Sequence, residues 1–147
     1  MFKHILVPSD GSQFSQDAAR QAVSFAKETG ARVTAFYAKP PPPIPYYGEG
    51  IGYNFEMPTK YTELTEKQAQ EILGFVETLC QQAGVSCEKL ELTSDIPYEA
   101  IIEAATKSQC DLIFMASHGR RGISALLLGS ETSKVLTHSK IPVLVYR

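Results

Sequence analysis

The segment from Met115 to Thr132 brings together the residue types with which proteins hold phosphate groups. It carries glycines at positions 119, 122 and 129 and adjacent arginines at 120 and 121. Glycine lets the backbone approach a ligand closely or adopt a positive φ. A helix that begins at Ser130 would offer unpaired N–H groups and the positive end of its dipole to an anion. The spacing therefore predicts a phosphate-binding loop, and with it a nucleotide site.

Each of these residues also has a purely structural interpretation. The glycines fit turn or cap geometry, and the arginines fit a solvated loop. The Ser130 hydroxyl suits a helix cap, a phosphate contact, or both. Other phosphate motifs are absent from the sequence, which has no Gly-x-x-x-x-Gly-Lys-[Ser/Thr] loop. The turn after the first apolar run has one glycine, which excludes the dinucleotide fingerprint.

Asp10 and His118 are the titratable residues that the pattern associates with this loop. Asp10 follows the first apolar run, where a carboxylate can accept hydrogen bonds from a ribose hydroxyl or an adenine amine, or help to hold a metal ion. It also suits a cap of the first helix. His118 fits loop packing as well as proton transfer, and neither residue has a visible catalytic partner. We therefore expect at most slow nucleotide hydrolysis or autophosphorylation, with Ser130 as the acceptor.

Strands and helices are predicted to alternate along the chain. The strands are predicted at 3–7, 32–38, 85–92, 112–116 and 141–146. The helices are predicted from a cap at Ser12 or Ser15 to Gly30, then over 59–83, 96–108 (capped by Asp95) and 130–139. This order predicts a Rossmann-like α/β fold, an open five-stranded parallel sheet with helices on both faces and strand order 3-2-1-4-5. The loops after strands one and four then meet at the carboxyl ends of the strands, where ligands bind.

Length, charge and cysteine content restrict the class of protein. The 147 residues suit one domain, predicted over 1–147. A net charge of -2 gives no electrostatic reason to bind nucleic acid or an anionic membrane. No apolar run reaches the roughly 20 residues that span a bilayer, and the first residues lack a secretory apolar core. Three cysteines (Cys80, Cys87 and Cys110) without metal-ligand spacing indicate reduced thiols in the cytoplasm.

The segment 39–58 interrupts the alternation. It contains a run of prolines from Pro40 to Pro43, three further glycines and four aromatic residues. Proline removes backbone donors and restricts the preceding residue, so no regular element is expected at the proline run. Loops of this length are usually functional or partly disordered. The segment is therefore predicted to be a lid or a surface for a protein partner, or else a variable surface loop.

The chain resembles the universal stress protein family over essentially its full length. Residues 5–12 (Ile-Leu-Val-Pro-Ser-Asp-Gly-Ser) are similar to the family's opening, and residues 134–145 to its ending. The family's nucleotide-binding members carry Gly-x2-Gly-x9-Gly-[Ser/Thr]. Here the pattern is Ala116-Ser-His-Gly119, nine residues, then Gly129-Ser130. A match of spacing, flanking strand and chain end together is specific.

The resemblance implies a five-stranded α/β domain that dimerises and binds ATP, with AMP or ADP as alternatives and Mg²⁺ or Mn²⁺ carried by the phosphates. It implies that Asp10 meets the ribose or adenine, and that Ala38 and Met115 line the adenine pocket. Ribose and phosphates would be held by Gly119, Gly129, Ser130 and Thr132. The complete set of nucleotide-binding residues that it implies is Pro8, Ser9, Asp10, Ala38, Met115, Ala116, Gly119, Arg120, Gly129, Ser130, Glu131 and Thr132.

Ala116 departs from the family motif, which has glycine at this position. Alanine disfavours positive φ, so it weakens binding if the backbone needs that conformation and changes little if only a small residue is needed. Two hypotheses stay open on this point. One is a cytoplasmic ATP-binding stress protein that acts as a sensor or regulator. The other is a dimeric interaction module of the same fold that binds no nucleotide.

The last predicted strand is expected to pair with a second copy of the chain. It would form an edge of the sheet, yet Ile141, Val143, Leu144 and Val145 make it apolar on both faces. An exposed apolar edge promotes aggregation unless it is paired. We therefore predict a two-fold homodimer through residues 141–146.

Overall fold

The computed structural model describes residues 1–43, 56–119 and 127–147; of residues 56–59 it describes the backbone only. Strands and helices alternate, as predicted. The strands are β1 (His4–Pro8), β2 (Arg32–Lys39), β3 (Cys87–Thr93), β4 (Leu112–Ala116) and β5 (Val143–Tyr146). The helices are α1 (Gln13–Thr29), α2 (Glu56–Ala83), α3 (Pro97–Lys107) and α4 (Ser130–His138). None of the helices in these ranges has the length and apolar character needed to cross a bilayer.

The five strands form one parallel sheet in the order β3-β2-β1-β4-β5, which confirms the predicted topology. Every residue of the central strands β1 and β4 is buried. The edge strand β5 has four half-buried residues and β3 is partly exposed. This distribution agrees with helices that cover both faces of the sheet centre. The carboxyl ends of β1 and β4 therefore lie side by side.

Two apolar layers cover the sheet. One lies between the sheet and helices α1 and α2, where Val7, Val33, Val76 and Phe114 are buried. The other lies beneath α3 and α4 and contains Leu6, Phe36, Ile101, Ile113 and Val135 among its buried members. Alternate residues of each strand enter opposite layers, as the period of a strand requires. The layers fix the strand ends that carry the candidate site.

The ends of the first helix follow the predicted signals. Ser12 is the N-cap of α1, and its hydroxyl accepts a hydrogen bond from Ser15 N at 3.2 Å. Gly30 ends the helix at φ 71, a conformation that costs glycine little.

Two other helix starts differ from the prediction. Helix α2 begins at Glu56 rather than at 59, because Pro58 lies in the first turn, where no intrahelical donor is needed. The cap expected from Asp95 is not formed; Ile96 is the N-cap of α3 and makes no side-chain cap bond. Tyr98 N instead donates to Glu131 Oε2 at 2.9 Å, so a carboxylate of α4 stabilises the start of α3.

Lys39 joins the carboxyl end of β2 to its neighbours. Its Nζ lies 3.0 Å from Glu66 Oε2 on α2 and 3.3 Å from Glu91 Oε1 on β3. The hydrogen bond with Glu66 is the main cause that raises the pKa of Lys39. The three side chains hold α2 against the strand end next to Ala38.

A buried histidine at the opposite end of the sheet predicts a pH-dependent stability. His4 is 4% exposed, and its Nε2 lies 2.6 Å from Thr34 Oγ1. Burial, followed by the charge of Arg32, lowers the pKa of His4; Glu88, Asp111 and the backbone of Ser108 partly oppose this. The unfolded chain therefore takes up the proton first as the pH falls. We expect the free energy of unfolding to decrease from about pH 7 to about pH 5.

Urea unfolding at a series of pH values measures this effect. His4→Gln keeps a nitrogen near Thr34 and cannot titrate, so its stability should depend less on pH over the same interval. His138→Gln, at an exposed position, is the matched control and should retain the wild-type slope. Equal slopes for His4→Gln and the wild type would contradict the assignment.

Candidate functional site

The loops after β1 and β4 meet at the carboxyl edge of the sheet. A Cβ built on Gly119 would lie 2.6 Å from Asp10 Oδ2, so the carboxylate rests directly against the glycine backbone. The other oxygen, Oδ1, accepts a hydrogen bond from Ser12 N at 2.9 Å. The φ of Gly119 is not left-handed, so glycine is needed here for close approach and not for its conformational freedom. The predicted meeting of Asp10 and Gly119 is confirmed.

Pro8 and Ser9 hold the Asp10 loop against β2 and α1. Pro8 is buried and pairs with Phe36. Ser9 N donates to Phe36 O at 2.9 Å, and Ser9 Oγ lies 3.0 Å from Ser15 Oγ on α1. Ser9 is only 7% exposed, so its hydroxyl is part of the loop's internal support.

Gly129, which follows the nine residues after Gly119 in the motif, contacts the backbone just beyond the end of β4. Its N–H donates to Ser117 O at 2.7 Å. A Cβ on Gly129 would lie 3.1 Å from Ser117 O and 3.2 Å from His118 Cα, which are rigid backbone atoms. From the sequence, Gly129→Val is expected to block the approach of a phosphate. The structure adds a second obstacle, because the side chain would displace the loop itself.

The first residues of α4 divide between solvent and protein contacts. Ser130 is exposed; Gly129 is the N-cap, and no side-chain cap bond forms, so the cap considered for the Ser130 hydroxyl is not made. Glu131 directs its carboxylate to Tyr98 N and lies 3.6 Å from Lys134 Nζ. Thr132 is 3% exposed and donates from Oγ1 to Ala116 O at 2.9 Å. Thr132 thus fixes α4 to the end of β4.

Ala38 and Met115 lie on the same face of the sheet. Met115 is 6% exposed within the layer beneath α3 and α4, and Ala38 packs against that layer. Ala38 pairs with Leu92 on β3, and Met115 pairs with Val145 on β5. The two predicted adenine-lining residues therefore share a layer at the carboxyl ends of their strands.

Ala116 is the last residue of β4 and is compatible with its backbone. It pairs with Tyr146 and is 7% exposed. Ala116 does not have a positive φ; among the described non-glycine residues, only Gln109 does. The departure from the family motif therefore brings no backbone strain, and only the size of one methyl group remains to be accommodated.

Restoring the motif glycine should have little effect on binding. We expect Ala116→Gly to change the affinity for ATP by no more than about threefold, a difference below 1 kcal/mol. The same change should lower the free energy of unfolding by about 0.5–1 kcal/mol, because glycine loses more conformational freedom on folding than alanine does. Calorimetric titration and urea unfolding measure the two effects. A large gain in affinity for Ala116→Gly would show that the methyl group obstructs the ligand.

His118 is a packing residue in the described structure. It is 6% exposed; Nδ1 lies 2.9 Å from Ser117 Oγ, and the ring lies 5.5 Å from the ring of Phe14 on α1. Its Nε2 is buried and has no hydrogen-bond partner among the described atoms. These contacts support the loop-packing interpretation of His118.

Two sequence predictions lie outside the described residues. The Arg120 and Arg121 pair belongs to residues 120–126, and most of the segment 39–58 belongs to residues 44–55. The contact of the arginines with phosphate and the contact of segment 39–58 with a protein partner therefore stay predictions.

These features define a class of protein: an open parallel α/β fold whose candidate site, with Gly119 and the Asp10 carboxylate, lies where the strand order reverses between β1 and β4. The chain belongs to the universal stress protein family, which it matches over residues 1–147. It is 33% identical to universal stress protein MJ0531 of Methanocaldococcus jannaschii, over 100% of this chain and 83% of that protein. It is 36% identical to a universal stress protein of Thermus aquaticus, over 100% of both chains.

Solved structures share the fold. The protein MJ0577 of M. jannaschii aligns with a TM-score of 0.80 at 25% identity, over 99% of this chain and 95% of that one. A universal stress protein of Archaeoglobus fulgidus, solved in complex with dAMP, aligns with a TM-score of 0.66 at 17% identity, over 100% and 98%. A family member from Arabidopsis thaliana, solved with AMP bound, aligns with a TM-score of 0.68 at 16% identity, over 97% and 90%.

Proposed function

We propose that this protein binds an adenine nucleotide, with ATP as the working ligand, and acts in the cytoplasm as a sensor or regulator of a stress response. The observation that carries the proposal is the contact between Asp10 and Gly119, which joins the loops after β1 and β4. The AMP and dAMP complexes of the two structural relatives support an adenine ligand for this fold.

The ligand would lie along the carboxyl edge of the sheet. Adenine is assigned to the layer of Ala38 and Met115, and the ribose to Asp10, whose carboxylate can accept hydrogen bonds from the ribose hydroxyls. Phosphates are assigned to the backbone of Gly119 and to the exposed Ser130 at the start of α4, where the helix dipole favours an anion. The phosphates would carry Mg²⁺ or Mn²⁺.

Three other residues predicted for the site bond to protein atoms and so hold the loops of the site in place. Thr132 and Ser9 are buried and bonded to protein atoms, and Glu131 stabilises the start of α3. Their role in the proposal is to position the loops. Turnover is not part of the proposed function beyond slow hydrolysis or autophosphorylation of Ser130.

Mass spectrometry of the freshly purified, denatured protein and calorimetric titration with ATP and Mg²⁺ test the proposal together. We expect co-purified adenine nucleotide, or binding of added ATP in the micromolar range. Absence of both, with binding still undetected at millimolar ATP, would favour the alternative, a dimeric interaction module of the same fold. Titration with AMP in parallel distinguishes the two adenine ligands.

The proposed assembly is a homodimer through residues 141–146. Leu144 and Tyr146 pack against the layer that contains α1 and α2, and Val143 packs against the opposite layer, yet all four residues of β5 stay half-buried. Pairing of this strand with its counterpart would cover the open edge. The segment 39–58 is proposed as a surface for a protein partner.

A further inference from the structure

Cys80 and Cys87 form a thiol pair between α2 and β3. Cys80 is fully buried near the end of α2, and Cys87 is half-buried as the first residue of β3. Both side chains belong to the apolar layer between α2 and the sheet, and each thiol is the group that most affects the pKa of the other. Cys87 Sγ also lies 3.6 Å from Glu88 O. Cys110 is buried in the opposite layer. Two of the three cysteines are thus already neighbours in the fold.

A short turn holds the pair together. Val85 N donates to Cys80 O at 2.8 Å, and Gly84 occupies a left-handed conformation at φ 72. Beyond the turn, Val33 N donates to Ser86 O at 2.8 Å, and Cys87 pairs with Val33 in the sheet. The turn and the sheet therefore restrain the chain on both sides of Cys87.

The two thiols differ in pKa and in exposure. The contact with Cys80 lowers the pKa of the Cys87 thiol, whereas the same contact and burial raise the pKa of the Cys80 thiol. Burial raises the pKa of the third thiol, Cys110, to about 11. The thiolate is the reactive form, so Cys87, which is also more accessible than the other two, is the thiol that an oxidant meets first.

We infer that Cys80 and Cys87 are a site of reversible oxidation, at which a hydroperoxide converts the two thiols to an intramolecular disulfide. The Cys87 thiolate attacks the hydroperoxide; the O–O bond breaks, an alcohol or water leaves, and Cys87 becomes a sulfenic acid. The Cys80 sulfur then attacks Cys87 sulfur, the S–O bond breaks, and the departing hydroxide takes the Cys80 proton as water. Two thiols are oxidised by two electrons, and one hydroperoxide is reduced.

Such a disulfide would link the end of α2 to the start of β3. That position is at the amino edge of the sheet, opposite to the Asp10 and Gly119 loops. The site is therefore independent of nucleotide binding, and either can fail while the other stands.

Oxidation of the full-length protein with hydrogen peroxide, followed by alkylation and trypsin digestion, tests the inference. Cleavage after Lys67 and Lys89 leaves both cysteines in one peptide, and Cys110 falls in the separate peptide 108–120. We expect the peptide 68–89 to lose two hydrogen atoms and to regain both alkylation sites after reduction with dithiothreitol. Cys110 should still be alkylated as a thiol. A disulfide between two chains, or equal oxidation of Cys110, would overturn the inference.

Single substitutions separate the roles of the two thiols. Cys80→Ser should leave Cys87 as a sulfenic acid that dimedone traps. Cys87→Ser should slow oxidation of Cys80 by roughly tenfold or more, because a buried protonated thiol reacts slowly. Circular dichroism establishes that each variant is folded. Trapping of Cys87 by dimedone to the same extent in the wild type as in Cys80→Ser would show that Cys80 does not resolve the sulfenic acid.

Discussion

Replacing Gly119 with alanine is expected to weaken ATP binding by at least about tenfold. A Cβ at this position would lie 2.6 Å from Asp10 Oδ2, so the carboxylate must move away. In the proposed complex that carboxylate accepts a hydrogen bond from the ribose, and a hydrogen bond to a charged group contributes about 1.5–3 kcal/mol. Its loss corresponds to roughly ten- to a hundredfold in Kd. Calorimetric titration of the purified variant with ATP and Mg²⁺ measures the change.

Gly74→Ala is the matched control for this substitution. Gly74 lies within α2, and a Cβ there would have no atom within 4 Å. The control should bind ATP as the wild type does and should be more stable by about 0.5–1 kcal/mol, because alanine favours the helix. Wild-type affinity in Gly119→Ala would argue against the assigned role of this contact.

A double-mutant cycle identifies Asp10 as the group that alanine displaces. Asp10→Ala alone should weaken binding about as much as Gly119→Ala does. If both act through the same carboxylate, the double variant should be no weaker than Asp10→Ala. Additive losses would indicate that Gly119 contacts the ligand separately from Asp10.

The fold was predictable because local and global signals agree along this chain. The buried strand at 112–116 has the bounds that its apolar run predicts, and Gly30 ends α1 where it interrupts the helical pattern. The alternation of strands and helices then restricts the sheet to few orders, since parallel crossovers are right-handed. The meeting of Asp10 with Gly119 follows from that order, although the residues are far apart in sequence.

The side-chain roles at the start of α4 were not predictable in the same way. Glu131 and Thr132 stand next to the phosphate motif, and the family resemblance assigns them to the ligand. Their partners, Tyr98 N and Ala116 O, are backbone atoms, which no side-chain pattern reveals. The same reason explains the error at Asp95, because the start of α3 is stabilised by a residue that is distant in sequence. Hydrogen bonds between elements depend on packing geometry, which sequence periodicity does not contain.

The contact between Cys80 and Cys87 was missed for a related reason. Their spacing fits no metal site, which favours two unrelated buried thiols. The turn at Gly84 and the pairing of Cys87 with Val33 direct both side chains into one layer. A signal was present in the sequence, since a glycine stop between a helix and a strand brings the flanking residues close.

The orientation of the β5 backbone allows the proposed dimer to be tested without disturbing the sheet. Ile113 N donates to Pro142 O and Ser117 N donates to Tyr146 O, each at 2.9 Å. In a parallel ladder, alternate residues direct both backbone groups to the same neighbour. The even-numbered residues of β5 therefore face β4, and the N–H groups of Val143 and Val145 face the open edge. These outward groups are the ones that a second copy would use.

Val145→Pro is therefore expected to convert the dimer to a monomer that stays folded. Proline removes the outward donor and is tolerated at edge positions whose N–H faces away from the sheet. Sedimentation at micromolar concentration should give the mass of one chain for Val145→Pro and of two chains for the wild type. Val145→Ala keeps the donor and controls for loss of the side chain; it should sediment as a dimer.

Leu144→Pro separates edge pairing from sheet stability. The N–H of Leu144 faces β4, so proline there removes a ladder bond inside the sheet and should lower the free energy of unfolding by about 1–3 kcal/mol. The contrast between adjacent positions is the decisive result, because a general effect of proline on the chain end would act on both. A monomeric wild type at micromolar concentration would refute the dimer. A dimeric Val145→Pro would place the interface elsewhere, and the half-buried apolar side chains of β5 would then need another partner.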